Sequence, residues 1–272
     1  MSASVNDIGS FRRMIFAWWK THRRDLPWRH TRDPYKILVS EVMLQQTQVS
    51  RVLPKYDEFL GEFPTVHALA KATPAHVLRA WRGMGYNRRA LYLKKTAEAV
   101  VSEYHGIFPD SESQLMKLPG LGKYTARAIM VFAFEKDVGM VDTNIRHIIT
   151  HFLYKGLPQK EKIIEATADQ IVPKGKSWEW HQALMDYGAL AMQSEKKSMK
   201  LVKKQTSFKD SNRFYRGRIV DMLRSGKTGR THLLLDLTKK YGKDKKFIEG
   251  IISGLIRDGL VVVQGTSLSL PT

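Results

Sequence analysis

A chain of 272 residues with 43% hydrophobic content can bury a substantial core across two or three structural units. Its 45 Lys plus Arg against 26 Asp plus Glu leave a formal charge of +19, which points to a polyanionic partner, nucleic acid first, with a merely solvated basic face as the bland alternative. The absence of cysteine excludes disulfides, thiol catalysis and thiolate-held zinc or iron–sulfur centres, so no metal site and no cofactor are expected.

No apolar run approaches the ~18 residues that span a bilayer, and the start MSASVNDIGSFRR lacks a signal-peptide pattern. A cytoplasmic, nucleoid-associated protein with no membrane partner is expected. Phe11, Ile15, Trp18 and Trp19 recur at helical spacing and predict an amphipathic helix ending near Thr21. The following HRRDLPWRHTRDPY is a basic loop broken by Pro27 and Pro34. Asp33 then caps and Pro34 opens a helix, YKILVSEVMLQQTQVSRVLPKYDEFL, interrupted at Pro54. On it Tyr35, Leu38, Val42 and Val49 form the apolar stripe, while Glu41, Gln45 and Gln48 share another face that is, by pattern alone, an ordinary solvated one. Residues 63–80 predict a short helix pair. In WRGMGYNRRALYLKKTAEAVV, Gly83 and Gly85 precede an aromatic and a basic helix. Tyr86 with Arg88 and Arg89 suits a side chain inserted into a base stack with phosphates alongside, and a packing tyrosine is the alternative.

The stretch LPGLGKYTARAIMVFAFEKDVGMVDTN, residues 118–144, joins a glycine hairpin to a single acid. Gly120 and Gly122 supply the positive φ that a tight turn needs. Beyond Tyr124, the residues Ala128, Ile129, Val131, Phe132 and Ala133 make a nearly all-buried helix. Its first N–H groups, with Lys123 beside them, can hold a phosphate, although LPGLG alone is as well explained by a plain helix–helix turn. Asp142 lies 18 residues after Tyr124, ahead of Ile145, Ile148, Ile149 and Phe152, at a helix N-cap that favours its ionised form. Such a cap is by itself structural. Helices are expected through His151, over 161–171 and across WEWHQALMDYGALAM. Residues 195–246 then carry 17 Lys and Arg against 5 acids. Helical patterns at 215–223, 232–241 and 247–257 lead to LVVVQGTSLSLP, a strand pair turning at Gly265. That order is winged-helix-like, with the third helix a candidate major-groove element, though such domains also make protein contacts.

LPGLGKYTA followed by VDTN resembles the helix-hairpin-helix plus Gly/Pro-Asp signature of the HhH-GPD DNA glycosylases of the endonuclease III superfamily. VSEVMLQQTQV and WxGxGYxxRAxxL resemble stretches of its MutY adenine glycosylases, and the likeness covers roughly residues 25–192. It implies an all-α, two-lobed core, with residues 1–32 packing with a second helical lobe at 139–200, and a six-helix-type barrel lobe carrying the hairpin at 33–138. The small winged-helix-like α+β domain occupies 205–272. The resemblance further implies a monofunctional base-excision-repair enzyme acting as a monomer on double-stranded DNA that contains a mispair. It would flip out adenine opposite guanine or 8-oxoguanine and hydrolyse the N-glycosidic bond through an oxocarbenium-type state.

By the same resemblance Glu41 is the acid that protonates adenine, Asp142 the ionised stabiliser, and Tyr124 and Asn144 support both by hydrogen bonding. Tyr124 stands where bifunctional relatives place a Schiff-base lysine. Toward DNA it assigns Arg29 in the LPWR loop, Gln46 and Thr47 beside the extruded base, Tyr86 as an intercalating wedge, Arg88 on phosphate, and Gly120, Gly122 and Lys123 at the hairpin. Met192 stands where the first cysteine of an iron–sulfur loop would be, and the C-terminal part is not the MutY module that reads 8-oxoguanine. Two other readings stay open: a thymine or uracil mismatch glycosylase, since such relatives also carry KYT and VDxN, and a non-catalytic DNA-binding regulator using the winged helix alone.

Overall fold

Phe11, Ile15 and Trp19 lie buried along one face of α1 (Val5–His22), as their spacing predicts, and this face seats the helix in the first of two units. In the computed structural model, residues 5–192, Phe208 and 211–272 are described. Their contacts group residues 1–41, 108–117 and 121–202 in one unit and 42–107, 118–120 and 203–272 in the other. Each unit therefore takes pieces of more than one of the segments delimited above. The lysine-rich stretch that follows Met192 lies outside the described residues.

The first unit holds α1, a 3-10 turn at Pro27–Arg29, the start of α2 (Pro34–Leu44), α7 (Glu112–Leu115), α8 (Lys123–Phe132), α9 (Thr143–Tyr154), α10 (Glu161–Gln170) and α11 (Ser177–Leu190). α1 packs on α11 and α9, with the Phe11 and Trp180 rings meeting edge to face at 5.6 Å. Within this apolar contact sits one acid, Asp186 of α11, whose residue is 0% exposed. Its carboxylate accepts from Trp19 Nε1 at 2.9 Å, from Arg24 Nε at 2.5 Å, and from both terminal nitrogens of Arg29 at 2.9 and 2.8 Å. Burial pushes the Asp186 carboxyl up, but the bonds from Arg29, Arg24 and Trp19 outweigh it and hold it below the usual carboxylate range. Arg29 is 5% exposed and committed to this pair, which corrects its expected place at DNA: an arginine in a basic loop is here an internal strut.

The second unit holds the end of α2, α3 (Val49–Glu62), α4 (Val66–Lys71), α5 (Pro74–Ala80) and α6 (Arg88–Tyr104), with Thr65 and Thr73 capping α4 and α5 by accepting from Ala68 N and His76 N. The long helix expected from Pro34 is broken earlier than Pro54. It ends at Leu44, Gln46 adopts φ 55°, and α3 restarts at Val49 with Pro54 inside it. Gln45 and Gln48 consequently leave the helix face on which Glu41 lies.

To the same unit belong α12 (Asn212–Leu223), β1 (Thr228–Gly229), α13 (Arg230–Tyr241), α14 (Lys245–Arg257), β2 (Val262–Gln264) and β3 (Ser267–Ser269), forming an antiparallel sheet in the order β1-β3-β2. The three helices and the hairpin match the expected order, and β1, two residues long, is too short to leave a periodic signal. Ser211 and Asp244 cap α12 and α14. Ile219, Leu233, Ile248, Ile252 and Leu268 make the core. No helix among the described residues is long and apolar enough to cross a membrane.

Removing the charge from one side of the Asp186 pair leaves a buried guanidinium uncompensated. Urea unfolding of Asp186→Asn is expected to show a loss of roughly 3–5 kcal/mol; an unchanged midpoint would mean that water reaches the pair.

Candidate active site

Glu41 occupies the penultimate turn of α2, 6% exposed. The Tyr124 hydroxyl, from the first turn of α8, hydrogen-bonds its carboxyl, and the charge of Asp142 is felt at the same group. Burial pushes the Glu41 carboxyl up, the Tyr124 bond brings it part of the way down, and the Asp142 charge raises it again, to about 7. The Tyr124 hydroxyl is itself held well above its ordinary value, by burial first and then by the two carboxyls, so it stays a donor.

Asp142 is the N-cap of α9 and accepts from Ile145 N at 2.7 Å, with Asn144 Nδ2 donating to its other oxygen at 3.3 Å. The approach to this cap is pinned from three sides. Gly139 N donates to Asp169 Oδ1 at 2.8 Å, Arg127 Nη1 donates to the Gly139 carbonyl at 2.6 Å, and Met140 N donates to His181 Nε2 at 3.1 Å. His181 is buried, which lowers it to about 4, and its Nδ1 donates to the Ser177 carbonyl at 2.7 Å. It is a neutral ring in the tautomer that leaves Nε2 free to accept. Gly188 of α11 passes under α9 so closely that a Cβ there would lie 2.7 Å from Asn144 Cβ. All four residues proposed for the chemistry, Glu41, Tyr124, Asp142 and Asn144, thus belong to the first unit.

The hairpin divides in character. Gly120 takes φ 80°, and a Cβ there would meet Tyr92 Cβ at 2.7 Å, so the turn needs glycine twice over. Gly122 differs from expectation: it is the N-cap of α8 with extended backbone at φ −95°, and its open surroundings would accept a Cβ. Lys123 reaches Glu165 Oε2 at 2.7 Å, an ion pair that a phosphate would have to compete with.

In the second unit Tyr86 is 36% exposed and held at φ 44° between the turn glycines and α6. Arg89 is the brace beneath it. Its Nη1 donates to the Val42, Met43 and Gln45 carbonyls at 2.7, 3.0 and 2.6 Å, and its Nη2 donates to Thr47 Oγ1 and the Met84 carbonyl, both at 3.1 Å. It ties the open end of α2 to loop 45–47 and to the glycine turn. Burial lowers Arg89 to about 10, which leaves it charged at neutral pH. The expectation that Arg89 lies along phosphates is therefore corrected, while Arg88 remains at the surface, donating to the Tyr92 hydroxyl at 2.9 Å and 3.5 Å from Asp258. Gln46 is exposed on the same loop as Thr47. Asp186, Arg89 and His181 were missed as organising residues. The one sequence signal among them is Asp186, an acid inside an otherwise apolar helix.

Met192 is buried at the end of the described core. With no cysteine in the chain there is no thiolate to hold an iron–sulfur cluster, and among the described residues no group of three or more His, Asp or Glu is placed to hold a metal.

Because the folded value of Glu41 is raised, the native state keeps a proton that the unfolded chain releases, and the stability present below about 4.5 is lost as pH rises to about 7. Glu41→Gln titrates nothing in that window. Its unfolding free energy, measured beside the wild type's from about pH 4 to about pH 8, is expected to gain about 3 kcal/mol relative to it. Parallel curves would put Glu41 in water.

The family model of the HhH-GPD superfamily of base excision DNA repair proteins matches residues 39–174. An adenine DNA glycosylase of Mycolicibacterium smegmatis is 33% identical over 268 residues, which span 91% of this chain and 91% of that protein. A thymine/uracil-DNA glycosylase of Methanothermobacter thermautotrophicus is 36% identical over 180 residues, 65% of this chain and 81% of its own. Among solved structures, that of a thermostable thymine-DNA glycosylase superposes with a TM-score of 0.64 at 35% identity, over 68% of this chain and 87% of its own.

Proposed function

This chain belongs to the HhH-GPD superfamily of base excision DNA repair proteins and is a DNA glycosylase, and on that premise we propose that it excises adenine mispaired with guanine or 8-oxoguanine in double-stranded DNA. The observation that carries the reading is the buried Glu41 carboxyl, raised to about 7. Adenine is a poor leaving group until a ring nitrogen is protonated, so its removal asks for an acid that still holds a proton near neutral pH. Thymine and uracil leave as delocalised anions and have less need of one. The relative named for adenine also matches along nearly the whole chain.

The work divides between two carboxyls. With the adenine turned out of the stack, Glu41 donates its proton to the base as the N-glycosidic bond lengthens. Asp142, ionised at its helix cap, stabilises the positive charge that develops on the sugar, and water completes the hydrolysis. Tyr124 keeps the Glu41 carboxyl oriented, and Asn144 does the same for Asp142. Residue 124 offers a hydroxyl and no amine, so no Schiff base forms there and the product is an intact abasic site. Tyr86 serves as the wedge, with Gln46, Thr47 and Arg88 on the strands beside it, and the backbone at Gly120, Gly122 and Lys123 takes a phosphate. The second reading, removal of thymine or uracil from a mispair with guanine, is favoured by the thymine/uracil relative and the thymine-DNA glycosylase structure.

Duplexes containing A:8-oxoG, A:G, T:G, U:G and A:T, cleaved with alkali after incubation, separate the two. Cleavage at adenine in the first two alone is expected, and cleavage at thymine or uracil instead would favour the second reading. The single-turnover rate on A:G is expected to fall as pH rises above about 7, following loss of the Glu41 proton. Asp142→Asn, which nearly preserves the cap, is expected to fold, bind DNA and lose roughly 100-fold or more in excision rate. A stable, fully active Asp142→Asn would reduce Asp142 to a helix cap.

A further inference from the structure

Tyr86 forms part of the wall of a cavity of about 1060 Å³ inside the second unit, with loop 45–47 and α12 completing it. Several arginines line this space; some are engaged elsewhere, while Arg51, Arg213 and Arg218 are exposed. Arg89 is held by carbonyls, Arg216 is ion-paired with Asp258, and Arg224 bonds Asp221 and donates to the Leu78 carbonyl at 2.9 Å. Arg213 differs. It is exposed, its guanidinium lies over the Tyr86 ring at 4.9 Å and over the Phe208 ring at 4.8 Å, and its Nη1 donates to the Tyr86 hydroxyl. A guanidinium carries five donors, and the tyrosine takes one.

We propose that this cavity receives the base opposite the excised nucleotide and that Arg213 reads that base as a guanine. The inference rests on the mispair-glycosylase reading above, and specifically on Tyr86 as the wedge. A wedge that enters the stack lies against the neighbouring base. In the free protein the Arg213 guanidinium covers a face of the Tyr86 ring, the position a stacked base would take. A base arriving there displaces the guanidinium toward its edge, where guanine presents O6 and N7, the acceptor pair that fits an arginine fork. On its major-groove edge cytosine presents an amino donor instead, and a fork placed against that edge finds no acceptor pair. The opposite base is guanine in both the A:G and the thymine or uracil readings, so the assignment does not depend on which base is excised; 8-oxoguanine keeps the O6 acceptor but carries a hydrogen on N7 and would engage the fork through O6 alone.

The full chain and two duplexes test this, each with a tetrahydrofuran abasic analogue, placed opposite guanine in one and opposite cytosine in the other. The analogue cannot be excised, so the opposite base is read by binding alone. Wild type is expected to favour guanine by about tenfold. Arg213→Ala is expected to approach parity by weakening on the guanine duplex, and Arg213→Lys, which keeps the charge and loses the fork, to do the same. Wild-type parity, or an unchanged preference in either variant, overturns the proposal. Equal tightening on both duplexes in Arg213→Ala also overturns it, because Arg213 would then be only a clasp that holds the tyrosine in the free protein. Loss of the adenine assignment is a separate result: a wild type that prefers guanine here but releases no adenine from A:G leaves Arg213's role standing.

Discussion

Glu41 holds its proton near neutral pH because the cost of charging a carboxyl away from water exceeds what one tyrosine hydroxyl returns, and the negative charge of Asp142 adds to that cost. Asp142 is treated oppositely: as the cap of α9 it has a backbone N–H and the positive end of a helix. Two carboxyls in unequal surroundings can supply a donor and a fixed charge at one pH, which two equivalent carboxyls cannot. Residue 124 sits at the balance point. A hydroxyl returns a little stability to the Glu41 carboxylate, whereas a lysine ammonium in its place would return much more and strip the proton that adenine removal needs. Acid donation and amine chemistry therefore compete for this position on electrostatic grounds.

Such a site works only if the backbone around it does not relax, and the first unit secures this with buried polar groups that sequence pattern cannot foretell. Asp186 joins α11 to α1 through Trp19 and to the turn before α2 through Arg29, so the helix that bears Glu41 starts from a fixed point. Two residues along α11, Gly188 lets Asn144 and the cap of α9 come in close. His181, kept neutral by burial, accepts from Met140 just ahead of Asp142. A buried ion pair contributes little net stability compared with a good apolar contact, so the value of the Asp186 pair lies in the arrangement it enforces.

Much of this was legible where periodicity or backbone chemistry carries the signal. The apolar face of Phe11, Ile15 and Trp19, the N-cap at Asp142, the positive φ at Gly120 and the order of the C-terminal elements all follow from local rules. The failures share a cause. Arg29 and Arg89 look like surface cations in the sequence, because nothing local tells an arginine that meets a carboxylate or a ring of carbonyls from one that meets water. The break at 45–48 was missed for a related reason. Gln45 to Gln48 are acceptable helix residues, and it is the tertiary brace from Arg89, gathering the carbonyls of Val42, Met43 and Gln45, that holds the chain in the turn at Gln46. Pro54, by contrast, announces a break that the early turns of α3 absorb.

Net charge misleads in the same way in the C-terminal segment. The excess of 17 basic over 5 acidic residues between 195 and 246 suggests a uniform cationic surface. Yet among the described residues Arg216, Arg224 and Arg230 are paired with Asp258, Asp221 and Glu249, and Arg224 further bonds the Leu78 carbonyl at the end of α5. These arginines knit the helices of the second unit to one another, and the field they offer to a phosphate is partly cancelled. Exposed lysines such as Lys239, Lys240, Lys245 and Lys246 retain theirs, but a point charge on a flexible stem attracts any stretch of DNA equally. Discrimination needs a donor array with a fixed plane beside a surface on which a base can stack. In this segment Arg213, over Tyr86 and Phe208, meets both requirements, and the role in selectivity proposed for it rests on that placement and not on its one charge in the total of +19.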